Sequence, residues 1–324
     1  MFQIATNWQL WDLPVSFNQA ISRITLRGYK RDDPILLPAE FSHLKPLSVD
    51  DIASLYCPTR RDLFLLKKRR LRGSAMWGRI AGPLIEQFCK GLIDEYENLF
   101  TDGARQSYES LKKLIQSYST QFVTGNARLI NGLRRHSTSP TEDVTRFVLV
   151  LEYTGRYELA MLGADCFLNG DATGAGPLLK RVPLEHKSIE ISPDARAIGI
   201  SSPSKPDFLI SSLQAVGDIK SGGAFKEFYP LTCAGYAMAY ENHHGSGNDI
   251  NFGLIYFVET HSRTVCAARS YAFVIDDELR REFLDRRNEA FGVLLRDAAD
   301  PPPLASREQY CKFCKYFSEC DQDR

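Results

Sequence analysis

At 324 residues with 44% apolar side chains, the chain can bury a sizeable core, either as one large domain with an appended lobe or as two domains. Its 40 Lys and Arg balance 40 Asp and Glu, so net charge alone demands no polyanionic partner and only local basic runs point to one. The sequence holds no long unbroken apolar run, and its start, MFQIATNWQLWDLP, lacks the basic region and apolar core of a secretory leader, so a cytoplasmic protein with no membrane partner is expected.

In chain order, residues 1–50 show weak periodicity and end at Ser48, which can cap a short helix ahead of Cys57. From Gly78 to about Phe100, Ile80, Leu84, Ile85, Phe88, Leu92 and Ile93 recur at helical spacing, with Pro83 tolerable near the helix start. A second helical pattern covers about 104–122, and residues 123–180 read as an elaboration in which strand-like pieces such as RFVLVLEY alternate with Gly-rich loops. Three short strands follow, at 184–191, within 197–210 and at 214–220, separated by turn compositions. FYPLTCAGYAMAYE then reads as a helix, NFGLIYFVE and TVCAARSYAFVI as strands, and the segment from Asp276 as a capped helix that DPPPL terminates. The expected units are an N-terminal segment 1–77, a core 78–275 with an insertion at about 100–180, and a terminal module 276–324.

The run LQAVGDIKSGGAF places Asp218 and Lys220 on one face of a strand and Ile219 on the other. If SSLQ forms the turn, position 210 pairs with 215 and Asp207 falls opposite Asp218. Directly opposed carboxylates are destabilising without a positive partner. A hard divalent ion, Mg²⁺ or Mn²⁺, suits Asp207, Asp218 and the Ile219 carbonyl, and Lys220 can assist at a phosphate; the layout fits phosphodiester hydrolysis. A solvated acid pair on a hairpin is the structural alternative, and Glu185-His186-Lys187 is a decoy acid-x-lysine whose upstream acids lie in a Gly-rich loop.

Asp207, Asp218-Ile219-Lys220 and the following helix with Tyr236 together resemble the PD-(D/E)xK nuclease core, in its RecB-like branch. The resemblance implies an α/β fold with a mixed central sheet flanked by helices and a helical lobe, and assigns supporting roles to Glu86 and Tyr236. That branch carries G-x-x-x-H-x-x-x-E ahead of the sheet and Q-x-x-x-Y after it. Here Gly78, Gly82 and Glu86 fit the first frame with glycine in place of histidine, and Thr232 stands where the second has glutamine.

Of eight cysteines, Cys89, Cys166, Cys233 and Cys266 read as small core residues, whereas Cys311, Cys314 and Cys320 form a tight trio that Cys57 can complete. Spacing alone suits zinc and an iron–sulfur cluster equally. One early cysteine in C-P-x-R-R, three at the tail and a RecB-like core between resemble the iron–sulfur exonucleases of CRISPR adaptation, with SxxDIASLYCPTRRDLFL suggesting the larger archaeal type I-A subgroup. The resemblance implies a [4Fe-4S] cluster on Cys57, Cys311, Cys314 and Cys320, DNA as substrate and the CRISPR integrase complex as partner. The basic run Arg60, Arg61, Lys67, Lys68, Arg69, Arg70 and Arg72 beside Cys57 suits phosphate contacts or, alternatively, a solvated helix face. A catalytically weakened DNA-binding scaffold and a zinc-stapled nucleic-acid-binding module are the competing readings.

Overall fold

The computed structural model describes residues 17–29, 35–71, 73, 77–100, 108–136, 140–168, 193–201, 204–260, 268–306, 311 and 314–322. The expected strand at 184–191, the acid-x-lysine at 185–187, Cys266 and Arg72 lie outside the described residues.

A mixed four-stranded sheet in the order β1-β2-β3-β4 forms the centre: β1 Phe208–Ile210, β2 Ala215–Gly222, β3 Phe252–Glu259 and β4 Ala268–Val274. β1 and β2 are antiparallel, β2 and β3 parallel, β3 and β4 antiparallel. The parallel pair requires a crossover, which the helix Pro230–His244 supplies. Period-two alternation divides the sheet: Phe208, Ile210, Ala215 and Ile219 face one apolar core, Leu209 and Val216 the other.

The first core is closed by the helix Trp77–Phe100, whose Ala81, Leu84, Ile85, Phe88, Cys89 and Leu92 are buried at the spacing of a single stripe. Its companions are Tyr108–Gly125, Ala127–Leu133 and Pro140–Leu168. The last of these corrects the sequence reading, because RFVLVLEY is helix rather than strand. Its β-branched and aromatic residues fit a pleated surface locally, but buried Val144, Phe147, Val150, Leu151 and Thr154 form a helical stripe against the lobe. The strand expected over 197–210 survives only as β1, since Pro193–Ile198 coils into 3-10 turns, Gly199 takes φ +81° and Ile200 makes an isolated bridge to Leu47.

The second core lies under the crossover helix and the helix Asp277–Leu295, which Asp276 caps by accepting from the Leu279 amide at 2.9 Å. In chain order the helices that bear on the site are α1 Val49–Ala53, α2 Arg61–Lys67, α3 Trp77–Phe100, α4 Pro230–His244 and α5 Asp277–Leu295. Ser48 caps α1 in a full capping box with Asp51. Between α4 and α5, Glu241 is fully buried and receives Arg27, Arg280 and the amides of Gly28 and Ile250, which ties the N-terminal segment across both helices. Gly28 is required there, because a Cβ would stand 1.9 Å from the Met238 carbonyl oxygen.

Among the described residues, no helix is long and apolar enough to cross a membrane.

Candidate active site

The β1–β2 connection is the four residues Ser211–Gln214, and Ile210 pairs with Ala215, Leu209 with Val216 and Phe208 with Gly217. Two features hold this register. Gln214 closes the turn at φ 52°, and the Phe208 ring lies over Gly217 so closely that a Cβ there would come within 1.8 Å of it. Asp207 therefore arrives beside the middle of β2, its amide donating to the Gly217 carbonyl at 3.0 Å.

From this position the Asp207 carboxylate turns beneath the hairpin. Its Oδ2 accepts from the Ile219 amide at 2.6 Å and its Oδ1 from Lys90 Nζ at 2.6 Å. Lys90 comes from α3 and donates equally to Glu86, one turn earlier, at 2.6 Å. Asp218, on β2, is buried and receives Lys220 Nζ at 2.7 Å on Oδ2. Thr232 Oγ1, from α4, lies 2.7 Å from that same oxygen and 2.7 Å from the Tyr229 carbonyl, and its single proton serves one of them at a time. Lys220 reaches onward to Asp50 of α1 at 3.3 Å.

Four carboxylates and two ammonium groups are thus gathered where α1, α3, α4 and the hairpin meet. Burial raises the Asp207 acid well above the ordinary carboxylate range, Asp218 and Glu86 push it further, and Lys90 opposes them. Burial on its own would lower the Lys220 ammonium, but Asp218 and Asp50 more than reverse this and its pKa is raised. The two acids thus favour the charged form of Lys220. Burial likewise raises the Tyr236 phenol, with Asp218 the next contributor; Tyr236 is packed in the second core behind Asp218.

Beside Lys220, a hollow of about 210 Å³ is lined by Asp50, Ala53, Ser54, Tyr56, Phe228, Tyr229 and Thr232. Tyr56 and Tyr229 hydroxyls meet there at 3.1 Å.

The structure brings Asp207, Asp218, Ile219, Lys220 and Glu86 together and sets Tyr236 behind them. Sequence reasoning missed Lys90 and Asp50. Lys90 was detectable as the residue four after Glu86 on the same helix face, and Asp50 as the acid inside the Ser48–Asp51 capping box. Gly82, where the resemblance places histidine, lies against the end of β2, with Ser221 Oγ 3.5 Å from the position of a Cβ.

Cys57 follows α1, and Cys314 and Cys320 pack with Tyr316 against Phe64 and Leu65 of α2. Burial lifts the Cys314 thiol to about 11, with Asp62, Cys57 and Cys320 adding to the effect. Burial also raises Cys320, while Arg61 lowers it and Cys57 and Cys311 raise it, so Cys320 lies within electrostatic reach of the other three thiols. Among the described residues, no three His, Cys, Asp or Glu side chains stand together in an arrangement ready to hold a metal ion, neither the thiols nor the acids around the hairpin, two of which Lys90 bridges. Cys57 instead meets Thr59 at 3.5 Å, and Cys311 donates to the Ser306 carbonyl at 3.9 Å.

Most of the basic run serves the fold. Arg60 and Arg61 are buried and donate to the carbonyls of Ile52 at 2.8 Å and Pro302 at 2.5 Å. Lys68 and Arg69 donate to Leu294 and Ala298, and Lys67 pairs with Asp51 at 2.7 Å. These contacts tie α2 to α1 and to the end of α5, and leave Lys67, Lys68 and Arg70 exposed.

The family described as CRISPR-associated exonuclease Csa1 matches residues 1–321. A CRISPR-associated exonuclease Csa1 of Thermoproteus tenax is 25% identical over 301 residues, covering 91% of this chain and 90% of the relative. Another of that name, from Saccharolobus solfataricus, is 28% identical over 297 residues, covering 90% of each. No solved structure matches the chain. A match that runs from the first residue through the last of the tail cysteines takes in both the carboxylate hairpin and the thiol lobe, and the chain belongs to the CRISPR-associated exonuclease Csa1 family.

Proposed function

We propose that the chain is a divalent-metal-dependent DNA exonuclease of CRISPR adaptation, built on a PD-(D/E)xK core. The observation that carries this reading is the hairpin register, which delivers Asp207, just ahead of β1, and Asp218 and Lys220 of β2 to one place beside Glu86 of α3.

By its chemistry the donor set suits a hard cation. Asp207, Asp218 and Glu86 offer carboxylate oxygens; burial, Asp218 and Glu86 together push the Asp207 pKa up, and the Ile219 carbonyl follows Asp218 on β2. These groups would hold Mg²⁺ or Mn²⁺, which when bound lowers the pKa of a water and offsets charge on the scissile phosphate. The chain's own contributions follow from the contacts. Thr232 steers Asp218 through its Oδ2, and Lys220, whose charged form Asp218 and Asp50 favour, offers positive charge to a phosphate oxygen instead of accepting a proton. Tyr236 supports the site from behind by excluding water from Asp218.

The thiol lobe suits a [4Fe-4S] cluster by its donor chemistry: one early and three late thiols, with Cys57 in electrostatic reach of Cys314 and Cys320, Cys311 in reach of Cys320, and Cys314 and Cys320 packed on aromatic and aliphatic side chains. In this reading residues 1–77 and 276–324 form one lobe around the cluster and residues 78–275 the nuclease, which trims DNA ends for the integrase complex. The missing histidine at Gly82 favours a second reading, a DNA-binding scaffold with weakened catalysis.

End-labelled single-stranded DNA incubated with Mn²⁺ and wild-type or Lys220→Ala protein separates the two. Metal-dependent shortening by the wild type and its loss in the variant support the nuclease; equal cleavage by both proteins removes the proposed site. An anaerobic visible spectrum tests the lobe, since an iron–sulfur protein is brown and Cys57→Ser should bleach it, whereas colourless protein carrying zinc would contradict the cluster.

A further inference from the structure

Lys90 stands where a metal ligand shell would close. Its Nζ is 2.6 Å from Glu86 Oε1 and 2.6 Å from Asp207 Oδ1, so one ammonium bridges two of the carboxylates that the nuclease reading gives to the divalent ion. The second Asp207 oxygen is held by the Ile219 amide at 2.6 Å, which fixes that carboxylate in place and leaves Lys90 as the mobile partner of the bridge. Gly82, Glu86 and Lys90 follow one another at i, i+4 and i+8 on one face of α3, so this face offers the site no side chain at 82, an acid at 86 and a cation at 90. The Lys90 side chain is 28% exposed, and a four-carbon stem reaching solvent lets the ammonium withdraw without moving the helix. Lys220 has a different geometry, bonding Asp218 and Asp50 on the α1 side, away from Glu86.

We infer that Lys90 is a displaceable internal cation: divalent-ion loading is an exchange in which Lys90 Nζ leaves the Glu86–Asp207 bridge as the ion enters. The inference rests on the nuclease reading and deepens it. Its consequence is a threshold. A site that must first break two ion pairs is ligand-competent only for the fraction of time the lysine is out, and its apparent affinity is reduced by that fraction. The exchange also neutralises the acids in the metal-free protein, where Asp207, Asp218 and Glu86 would otherwise repel one another.

The test is Mn²⁺ binding, followed by the electron paramagnetic resonance signal of the free ion, for wild type, Lys90→Met, Lys90→Arg and Asp218→Asn, with metal-free melting curves to establish that each is folded. Lys90→Met should bind Mn²⁺ roughly tenfold more tightly than wild type, the worth of two partly exposed ion pairs. Lys90→Arg, which keeps a bridging cation, should stay near wild type, and Asp218→Asn should lose binding. If Asp218→Asn loses binding but Lys90→Met binds no better than wild type, the exchange is refuted and the metal site stands. If wild type and Lys90→Met both fail to bind Mn²⁺, both the exchange and the metal site are refuted.

Discussion

Replacing Glu241 with alanine should cost about 3–5 kcal/mol of stability, the range for removing one partner of a buried ion pair. The carboxylate has no exposure, and it accepts from Arg27 Nη1 at 2.9 Å, Arg280 Nη1 at 2.8 Å and Nη2 at 3.0 Å, and the amides of Gly28 at 2.8 Å and Ile250 at 3.0 Å. Truncation takes from buried Arg280 the acid it pairs with, leaves buried Arg27 only Asp249 at 3.9 Å, and removes the acceptor from two buried amides. Glu241→Gln keeps an oxygen acceptor but turns an NH₂ toward an arginine, so an intermediate loss is expected. Urea unfolding measures the change, and hydrogen exchange locates it. Protection of Gly28 should collapse first, because its amide donates to Glu241, whereas the Leu26 amide is held by Asp277 and should lose less. A loss below about 1 kcal/mol in the alanine variant, with exchange at Gly28 unchanged, would refute the reasoning.

Gly217→Ala should destabilise by about 1–3 kcal/mol through overpacking against Phe208, and should lower nuclease activity as well, since a displaced Phe208 moves its neighbour Asp207. Adding Phe208→Leu should restore part of both, measured as melting temperature and cleavage rate. The Asp207 acid is raised in the folded protein, so between the unfolded carboxylate value, about 4, and the folded value the native state holds more protons and metal-free stability falls as pH rises. Asp207→Asn, which removes that ionisation and can still accept from Ile219, should therefore melt at a higher temperature than metal-free wild type at neutral pH while losing Mn²⁺ binding. A lower melting temperature would contradict the assigned burial cost.

How much was legible depends on the range over which each feature is encoded. The hairpin register follows from a four-residue connection, which fixes strand parity locally, and the α3 stripe from helical spacing over about four turns. The helix Pro140–Leu168 was misread because residues such as Val148, Val150 and Tyr153 favour a strand locally, and only packing against the other helices of the lobe decides between the periods. Lys90 and Asp50 carried local marks, the i+4 spacing from Glu86 and the capping box, but their partners in the site were not legible, for a different reason. Lys90 meets Asp207 across 117 positions and Asp50 meets Lys220 across 170, and no local pattern marks such a contact. The structural part of the basic run was hidden in the same way, because the carbonyls that use Arg61, Lys68 and Arg69 come from residues 294–302.

The most direct measurement of the central claim is the rate at which an end-labelled strand shortens in Mn²⁺ with Asp218→Asn in place of wild type. The substitution keeps the side chain's size and its place beside Thr232 and Lys220, and removes only the charge. If the paired hairpin acids do the chemistry, the variant melts as a folded protein and its rate falls at least about a thousandfold, about 4 kcal/mol of transition-state stabilisation. A folded Asp218→Asn protein that shortens DNA at the wild-type rate would place the reaction elsewhere in the molecule.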